Sequence, residues 1–455
     1  MIRRIRARRA YNAGKWSKAR SIANKLIQIP SEQSFARSVI IRAYYNEGQF
    51  GKVVELNNQW GNEFDYLVHR IKNPDIQNTG NLTRIKKIHL EQPEPKFKQE
   101  FNETCMVENF HQEGQRIWMR HRQGWVFWDM PKGYLLENTH SNLLILTAEI
   151  LLYPWVQSTK TQFEETRPKG NKVALSFSGG VDSTAASLLM PEDTLLGYHR
   201  RSFKTILDHR NANRLIKHLK KLDRKIIDIP SNHELIRTFF EKQIGFSSDF
   251  APATSLILLA DFLDIGGIGF GTPIDNTYLW KGRKFRDFSQ TRYFKYWSER
   301  FSEAGIDLIF PLAAISEGGA LEIIKQTPIA KYVNSCLRGD GANGCGLCWK
   351  CFHKNGPLGR NYTLNSSEIQ TFLNKEKIPT TTHALWAIQY MGIEDRVLML
   401  NDLLNEDFSW WTNYYAPGFS IIQDTYRPFI IEMVKKYLSP MPEPYQLEQV
   451  NHYGE

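Results

Sequence analysis

The sequence predicts an α/β fold with a parallel sheet covered by helices on both faces, and two observations lead to this prediction. First, short apolar runs alternate with helical segments along residues 165–360: VALSF (173–177), LLGYH (195–199), KIIDI (225–229) and GIGFG (267–271). Such alternation is typical of strand–helix–strand units. Second, two adjacent glycines end the first run where a helix follows. Ligands of open α/β sheets bind at that end of the strands.

Helical segments occupy the intervals between these strands. STAASLLM (183–190) continues until Pro191, and HRNANRLIKHLKK (209–221) carries apolar residues at helical spacing. PATSLILLADFLDI (252–265) is strongly apolar and predicts a buried helix. The order of strands and helices therefore predicts one domain over residues 165–360.

Three further regions flank this domain. Residues 100–160 predict a small α+β element, with strand-like runs RIWMR and GWVFWDM before a helix at 142–152. Residues 73–98 are polar and contain prolines, so they predict a connector. Residues 361–455 predict a helical C-terminal region whose aromatic cluster favours a packed core over a surface that stacks nucleobases. The cluster comprises Phe408, Trp410, Trp411, Tyr414 and Tyr415.

An internal repeat lies in the N-terminal region, residues 1–75. AYNAGKWSKA (10–19) aligns with YYNEGQFGKV (44–53) after a shift of 34 residues. The matched pairs are Tyr11 and Tyr45, Asn12 and Asn46, Gly14 and Gly48, Trp16 and Phe50, and Ala19 and Val53. This period is that of tetratricopeptide helix hairpins, which the region resembles over two units. The resemblance implies an α-helical region that contacts a protein partner, and a purely structural cap is the alternative.

The net charge of +10 is concentrated at the N-terminus. Residues 1–31 contain nine Lys or Arg residues and no acidic residue precedes Glu32, which leaves the rest of the chain close to neutral. Such a basic segment can bind nucleic acid or an acidic protein. A solvated helix face without a partner is the alternative, because charge alone does not require nucleic acid.

Composition predicts a cytoplasmic protein that does not cross a membrane. The chain has no run of 18 apolar residues, and its first residues lack the apolar core of a secretory signal. Four of the five cysteines are crowded between Cys336 and Cys351, which does not fit a disulfide framework and indicates a reducing compartment.

The loop after the first strand of the main domain has the properties of a phosphate site. Its glycines allow a sharp turn and leave amide N–H groups uncovered, and the following helix directs its positive end at the same place. Serine and threonine hydroxyls add hydrogen-bond donors. The lysine of a Walker loop and the G-x-G-x-x-G dinucleotide motif are both missing. The candidate binding residues are Ser178, Gly179, Gly180, Val181, Asp182, Ser183 and Thr184. A plain glycine turn without a ligand is the alternative.

The pattern S-G-G-x-D-S at 178–183 resembles the pyrophosphate loop of N-type ATP pyrophosphatases, which have a Rossmann-like parallel sheet of the HUP type. The resemblance implies that ATP is cleaved between its α and β phosphates, while a substrate oxygen becomes adenylated and pyrophosphate stays in the loop. It also implies that Asp182 and Ser183 are catalytic and that Asp182 helps to bind Mg²⁺. GFGTPIDNTYLW (269–280) is expected to close the nucleotide site, with Asp275 as a polar contact.

Four cysteines have the spacing of a metal site. Three follow C-x-x-C-x-x-C and the fourth precedes them by nine residues: Cys336, Cys345, Cys348 and Cys351. Four thiolates close a tetrahedral shell without an open position, which predicts a structural Zn²⁺. An iron–sulfur cluster is the first alternative, although the C-P element of ferredoxins is missing, and free buried thiols are the second.

The glycine loop, the stretch PLAAISEGGALEII (311–324) and the cysteine pattern together resemble 7-cyano-7-deazaguanine synthases over residues 170–357. The resemblance implies that ATP activates 7-carboxy-7-deazaguanine, that ammonia forms the amide, and that a second ATP leads to the nitrile. The chain departs from the family at 198–201, Tyr-His-Arg-Arg, where the side chains either neutralise an acidic substrate or lie at the surface. It also lacks an Arg-Asn pair within 250–263.

These departures, and the long terminal extensions, leave several functions open. The first is an ATP-dependent adenylating enzyme acting on a deazapurine carboxylate or a related small acid. The second is a relative that conjugates a deazapurine to a partner protein, as is thought for relatives in bacterial antiphage defence operons. A tRNA-modifying enzyme of the same superfamily is third, although Cys105 alone remains as a catalytic thiol and lies outside the domain. The fourth is a nucleotide-binding interaction scaffold.

Overall fold

A computed structural model describes residues 2–12, 15–64, 67, 68, 71, 88–155, 163, 165–205, 209–240 and 242–454. Their contacts divide the chain into two compact units. The first comprises residues 1–79, 346–352 and 361–378, and the second comprises residues 80–345, 353–360 and 379–455. Three parts of the sequence predictions lie outside the described residues: Gly14, residues 73–87 and residues 156–160.

The first unit contains two helical hairpins and a short later helix, Ser367–Leu373. The hairpin helices are α1 (Ile2–Asn12), α2 (Trp16–Asn24), α3 (Gln33–Asn46) and α4 (Phe50–Gln59). The predicted repeat falls on equivalent positions of the two hairpins. The Tyr11 and Trp16 rings are 4.9 Å apart, and the Tyr45 and Phe50 rings are 5.7 Å apart. The two hairpins therefore use the same aromatic contact at their turns.

The second unit is built on an eight-stranded sheet and a small two-stranded ribbon. Its strands are β1 (Phe110–Glu113), β2 (Arg116–His121), β3 (Gly124–Asp129), β4 (Lys172–Ser176), β5 (Leu195–Arg201), β6 (Ile226–Ser231), β7 (Ile265–Phe270), β8 (Leu279–Trp280), β9 (Lys284–Phe285) and β10 (Asp307–Ile309). Strands β8 and β9 form the ribbon, and the large sheet has the order β1-β2-β3-β6-β5-β4-β7-β10.

Five neighbouring strands of the large sheet, β6-β5-β4-β7-β10, are parallel. The predicted parallel α/β sheet is therefore confirmed for these five strands. The chain leaves β4 towards β5 on one side and returns to β7 on the other side of β4. The carboxyl ends of β4 and β7 consequently form the topological switch point, where ligands bind in folds of this kind.

Strands β1–β3, from the predicted 100–160 element, extend this same sheet as an antiparallel meander. β3 joins β6 through the pair Trp128 and Ser231. Side chains strengthen this short junction, because Asn232 Oδ1 accepts a hydrogen bond from the Phe127 amide at 2.8 Å. The local aromatic strands thus complete one edge of the main sheet.

Helices of the second unit cover both faces of the sheet. They are α5 (Ser141–Leu152), α6 (Val181–Leu189), α7 (Arg210–Lys221), α8 (Thr254–Leu258), α9 (Ala260–Leu263), α10 (Arg292–Glu303), α11 (Glu317–Lys325), α12 (Thr381–Tyr390), α13 (Arg427–Lys435) and α14 (Gln446–Gln449). The single buried helix predicted at 252–265 is wrong in one respect, because Leu259 separates it into α8 and α9.

Two glycines of the sheet show that α6 and α8 lie on opposite faces. A Cβ at Gly269 of β7 would lie 2.8 Å from the sulfur of Met190, which follows α6, and a Cβ at Gly197 of β5 would lie 2.5 Å from Leu256 of α8. Gly197 pairs with Ser176 of β4 and Gly269 pairs with Leu175, so the two glycines lie in adjacent rows across the sheet. Adjacent rows of a pleated sheet face opposite sides, so the helices do too.

The C-terminal aromatic cluster is part of the core. All five of its side chains are at least 93% buried: Phe408, Trp410, Trp411, Tyr414 and Tyr415. They are therefore unavailable as a nucleobase-stacking surface. None of the described helices combines the length and the apolarity needed to cross a membrane.

Candidate active site

The loop after β4 lies at the topological switch point of the sheet. β4 ends at Ser176 and α6 begins at Val181, so residues 177–180 turn the chain between them. This is the strand–loop–helix arrangement that the sequence predicts for Ser178–Thr184. The first amides of α6 lack acceptors within the helix, and its dipole is positive at this end. The position therefore favours an anion.

Two glycines allow the backbone to approach closely here. Gly179 has φ +74°, and a Cβ at this position would lie 3.1 Å from the Cβ of Ala212 in α7. At the end of β7, a Cβ at Gly271 would lie 2.9 Å from the amide nitrogen of Ser183. Side chains at either position would strain the backbone or separate the loop from its neighbours.

The hydroxyl groups of the loop bond within the loop itself. Ser183 Oγ lies 3.0 Å from Ser178 Oγ and accepts a hydrogen bond from the Ser178 amide at 3.1 Å. Thr184 Oγ1 donates to the Gly180 carbonyl at 2.7 Å and is fully buried. The structure therefore places these hydroxyls where they hold the shape of the turn.

The segment before the cysteines supports the same loop. Ser335 Oγ accepts a hydrogen bond from the Val181 amide at 3.0 Å. In the next turn of chain, Asn211 of α7 donates to the Cys336 carbonyl at 2.7 Å and accepts from the Gly341 amide at 2.9 Å. Helix α7 thus connects the glycine loop with residues 335–341.

Asp182, in the first turn of α6, forms an ion pair with Lys354. The Asp182 side chain is 25% exposed, whereas that of Lys354 is 6% exposed. The Lys354 ammonium also lies 3.4 Å from a carboxylate oxygen of Glu317. Burial alone would lower the pKa of Lys354, but the two carboxylates outweigh burial and raise it above its usual value. Lys354 therefore stays charged.

Asp275 and Glu317 lie together at the start of α11. Asp275 is fully buried and accepts a hydrogen bond from the Glu317 amide at 2.8 Å. Burial, together with the nearby Glu317 carboxylate, raises the pKa of Asp275 well above its usual value. The expected polar contact of Asp275 with the nucleotide is thus replaced by a contact that holds the beginning of α11.

Two histidines complete this buried cluster. Ligand atoms of Glu317, His353 and His383 lie within 4.8 Å of one another, a separation that suits a metal ion. However, both ring nitrogens of His383 have partners, the Trp411 indole nitrogen at 3.4 Å and the His353 carbonyl at 2.9 Å. Burial and the nearby Lys354 lower the pKa of His383 to about 3. The positive charge that balances Glu317 in this cluster is therefore the Lys354 ammonium and not a protonated His383.

A cleft of about 570 Å³ opens beside Asp182. The backbone after β7, Gly271–Pro273, forms one part of its wall, and Arg237 and Lys242 contribute two cations. Phe246, whose ring is 37% exposed, adds an aromatic surface. The cleft thus combines positive charge with an apolar plane at the switch point of the sheet.

The basic residues of β5 are neutralised within the protein. His199 Nε2 lies 3.0 Å from Glu234, and Arg201 donates to the other Glu234 oxygen at 2.6 Å. Arg200 donates to Asp228 at 2.8 Å. Burial would raise the pKa of Glu234, but His199 and Arg201 lower it to about 2. The surface location considered for these side chains is wrong for His199 and Arg201, which are buried in this ion pair network.

The predicted metal segment brings its four thiols together. The sulfur atoms of Cys336, Cys345, Cys348 and Cys351 lie within 4.8 Å of one another. The amides of Arg338 and Cys345 donate to the Cys336 sulfur at 3.4 and 3.3 Å. Four sulfur donors so close together can hold a metal ion, and N–H donors to sulfur are typical of the surroundings of a metal thiolate.

Sequence reasoning missed Lys354 and Glu317. Glu317 lies within 311–324 and Lys354 lies three residues after Cys351, but a single lysine or glutamate resembles the many surface residues of its type. The structure places Lys354 in a π-helical turn, Cys351–Asn355, and such turns are frequent at functional sites, but the sequence carries no pattern that predicts this turn.

Comparison with known proteins gives one partial match. A family of unknown function (DUF6395) matches residues 296–454. This range includes Glu317, Lys354 and the four cysteines, whereas the loop Ser178–Thr184 precedes it. No curated protein and no solved structure matches the chain.

Proposed function

We propose that this protein is an ATP-dependent adenylating enzyme that acts on a small planar acid. The observation that carries the proposal is the position of Ser178–Thr184, a glycine loop at the switch point and at the N-terminus of α6. An oxygen of the acid attacks the α phosphorus of ATP, the bond to the β phosphate oxygen breaks, and pyrophosphate leaves with the electron pair. AMP is released when an amine or ammonia displaces it from the activated acid.

The loop supplies positive charge where pyrophosphate leaves. The positive end of the α6 dipole favours the negative charge that grows on the leaving group. The partly exposed Asp182 carboxylate suits Mg²⁺, which prefers oxygen ligands and would supply further charge neutralisation there. Ser183 would act by fixing the turn rather than by contacting phosphate, because its hydroxyl is bonded to the loop.

The cleft favours an acid with an aromatic ring. Arg237 and Lys242 can neutralise a carboxylate, and the exposed Phe246 ring can stack on a planar heterocycle. The Ser248 hydroxyl also lines the cleft, is buried, and has no hydrogen-bond partner among the described residues. A deazapurine carboxylate such as 7-carboxy-7-deazaguanine has the charge, the plane and the polar edge to match these groups.

A structural Zn²⁺ in the four-cysteine segment belongs to the same proposal. The donor set consists of four sulfurs without an open position, so the ion would stabilise the loop and take no part in the reaction.

The test is analysis of the nucleotide products. Purified full-length protein is incubated with Mg-ATP, ammonium and 7-carboxy-7-deazaguanine, and AMP, pyrophosphate and the deazapurine are quantified. We expect AMP and pyrophosphate in equal amounts. Asp182→Asn should lose at least about 100-fold in rate, since removing a single electrostatic contact of a transition state costs about this much. Asp193→Asn, in an exposed turn that follows the C-terminal end of α6, is the matched control.

The fate of the deazapurine separates the related functions. A nitrile would indicate synthesis of the 7-cyano compound, and a labelled protein would indicate conjugation. Absence of AMP with this acid and with a panel of aromatic acids would contradict the proposal, as would an active Asp182→Asn variant.

A further inference from the structure

We propose that a groove between α1 and α2 binds the phosphodiester backbone of a nucleic acid. The groove has a volume of about 490 Å³ and lies within the first unit. In the part of the chain that the structure describes, six exposed cationic side chains line it: Arg3, Arg6, Arg9, Lys15, Lys18 and Lys25. This surface is independent of the adenylating activity proposed for the second unit.

The cations form two rows. On α1, arginines recur every third residue, which corresponds to steps of about 4.5 Å along the helix axis. On α2 and its ends, Lys18 and Lys25 are seven residues apart and share a helix face. A ligand in the groove would therefore meet positive charge on both sides along its length.

Other basic residues of α1 have partners outside the groove. Arg4 lies 3.7 Å from Glu32 and its guanidinium is 4.6 Å from the centre of the Phe35 ring, and Arg8 is 5.9 Å from the same centre. In contrast, within the described part of the chain no carboxylate lies within 4.0 Å of the nitrogen atoms of the six groove cations. Their like charges face one another, so a polyanion is the ligand that this surface fits.

The rest of the wall favours a nucleic acid over an acidic protein. Among the described residues, Ala10 and Ile22 complete the lining, and Ala10 is 7% exposed. Protein interfaces depend on aromatic and apolar anchors and are depleted in lysine, whereas nucleic-acid interfaces are strongly positive. Because the described lining residues include no aromatic ring, base stacking is not supported. The contacts would be to phosphates and independent of sequence.

The test is the salt dependence of binding. Fluorescence anisotropy of the full chain is measured with labelled single-stranded RNA and DNA of about 20 nucleotides, at about 50 to 200 mM NaCl. Six phosphate contacts predict that affinity falls about 300-fold over this range, since each contact contributes a slope of about −0.7. In the variant Lys15→Gln/Lys18→Gln/Lys25→Gln, the magnitude of the slope should decrease by about 2. Equal affinities for RNA and DNA would indicate that the backbone alone is bound.

A matched control separates the groove from net charge. Lys96→Gln/Lys98→Gln/Lys132→Gln removes the same charge from exposed positions of the second unit and should leave the slope unchanged. An unchanged unfolding midpoint would show that the groove variant is folded. Equal loss of binding in both variants would overturn the proposal. So would binding of polyglutamate without binding of either oligonucleotide, which would assign the groove to an acidic protein.

Discussion

At the scale of single residues, the carboxylate of Asp182 has two competing partners. In the structure it is paired with the buried Lys354 ammonium, and in the proposed nucleotide complex it would also face Mg²⁺. Lys354 in turn shares Glu317, so the two carboxylates and one ammonium form a group with a single net negative charge. The net negative charge of this group favours binding of a further cation. The stability of its two carboxylates depends on Lys354.

Removal of Lys354 should therefore destabilise the protein. Lys354→Met leaves the Glu317 carboxylate buried without its cation, and breaking a buried ion pair in this way costs about 3 kcal/mol or more. Urea unfolding measures the free energy difference. In the double variant Lys354→Met/Glu317→Gln, part of this loss should be recovered, because the uncompensated charge is gone. A double variant no more stable than Lys354→Met would mean that the ion pair is not the cause.

Glu234 predicts a pH dependence of stability. Its pKa is about 2 in the folded protein, against an ordinary value of 4.5. The carboxylate thus contributes stability that is fully present above about pH 4.5 and is lost as pH falls from 4.5 towards 2, worth roughly 3 kcal/mol in total. Glu234→Gln should reduce the unfolding free energy most at pH 7, and the difference from wild type should shrink below pH 4.5.

Denaturant unfolding at several pH values provides this measurement. Glu192→Gln, at an exposed position, changes the same chemical group without touching the buried network. If the difference between wild type and Glu234→Gln were the same at pH 7 as at about pH 2.5, the ion pair with Arg201 and His199 would not be its source.

At the scale of elements, the segment 336–351 is stabilised by contacts that a metal ion would complete. Its four thiols converge, and Asn211 holds the segment by donating to the Cys336 carbonyl and accepting from the Gly341 amide. Four metal–sulfur bonds would hold it more strongly than these two hydrogen bonds. We expect one zinc ion per chain by elemental analysis. We also expect a chelator to lower the unfolding temperature, since structural zinc contributes directly to folding. Cys348→Ser should lose the metal.

The remaining cysteine offers a control for this prediction. Cys105 lies outside the cluster, so Cys105→Ser should retain the metal and its sensitivity to chelators. Iron in place of zinc, with an absorbing chromophore, would support the iron–sulfur alternative instead. A chain without metal whose stability is indifferent to chelators would contradict both.

At the scale of the whole molecule, local patterns predicted the parallel sheet well. β7 is buried along its whole length and β4 is buried at Ala174 and Leu175, and both strands lie in the apolar runs from which they were predicted. The residues of the glycine loop are contiguous in the sequence. The break of the helix at Leu259 was not predicted, because apolar periodicity is uninterrupted there. The pairing of β3 with β6 rests on Ser231 and Asn232, which are far away in sequence.

The candidate site was predictable only where its residues are contiguous. Ser178–Thr184 and the four cysteines each form a compact motif. Lys354, Glu317 and Asp275 meet through tertiary folding, and no local signal says which lysine will be buried beside which carboxylate. The position of Asp275 after β7 predicted a contact with the nucleotide. Asp275 is fully buried, however, so its carboxylate binds the Glu317 amide instead.

The ion pair between Asp182 and Lys354 also has a consequence for the order in which the protein is made. The two residues are 172 positions apart. At a synthesis rate of about 5 to 20 residues per second, the ribosome adds Lys354 roughly 10 to 35 s after Asp182. During this interval the nascent chain has its glycine loop and its carboxylate but lacks the lysine that neutralises it. The site is therefore completed only after residue 354 has been synthesised.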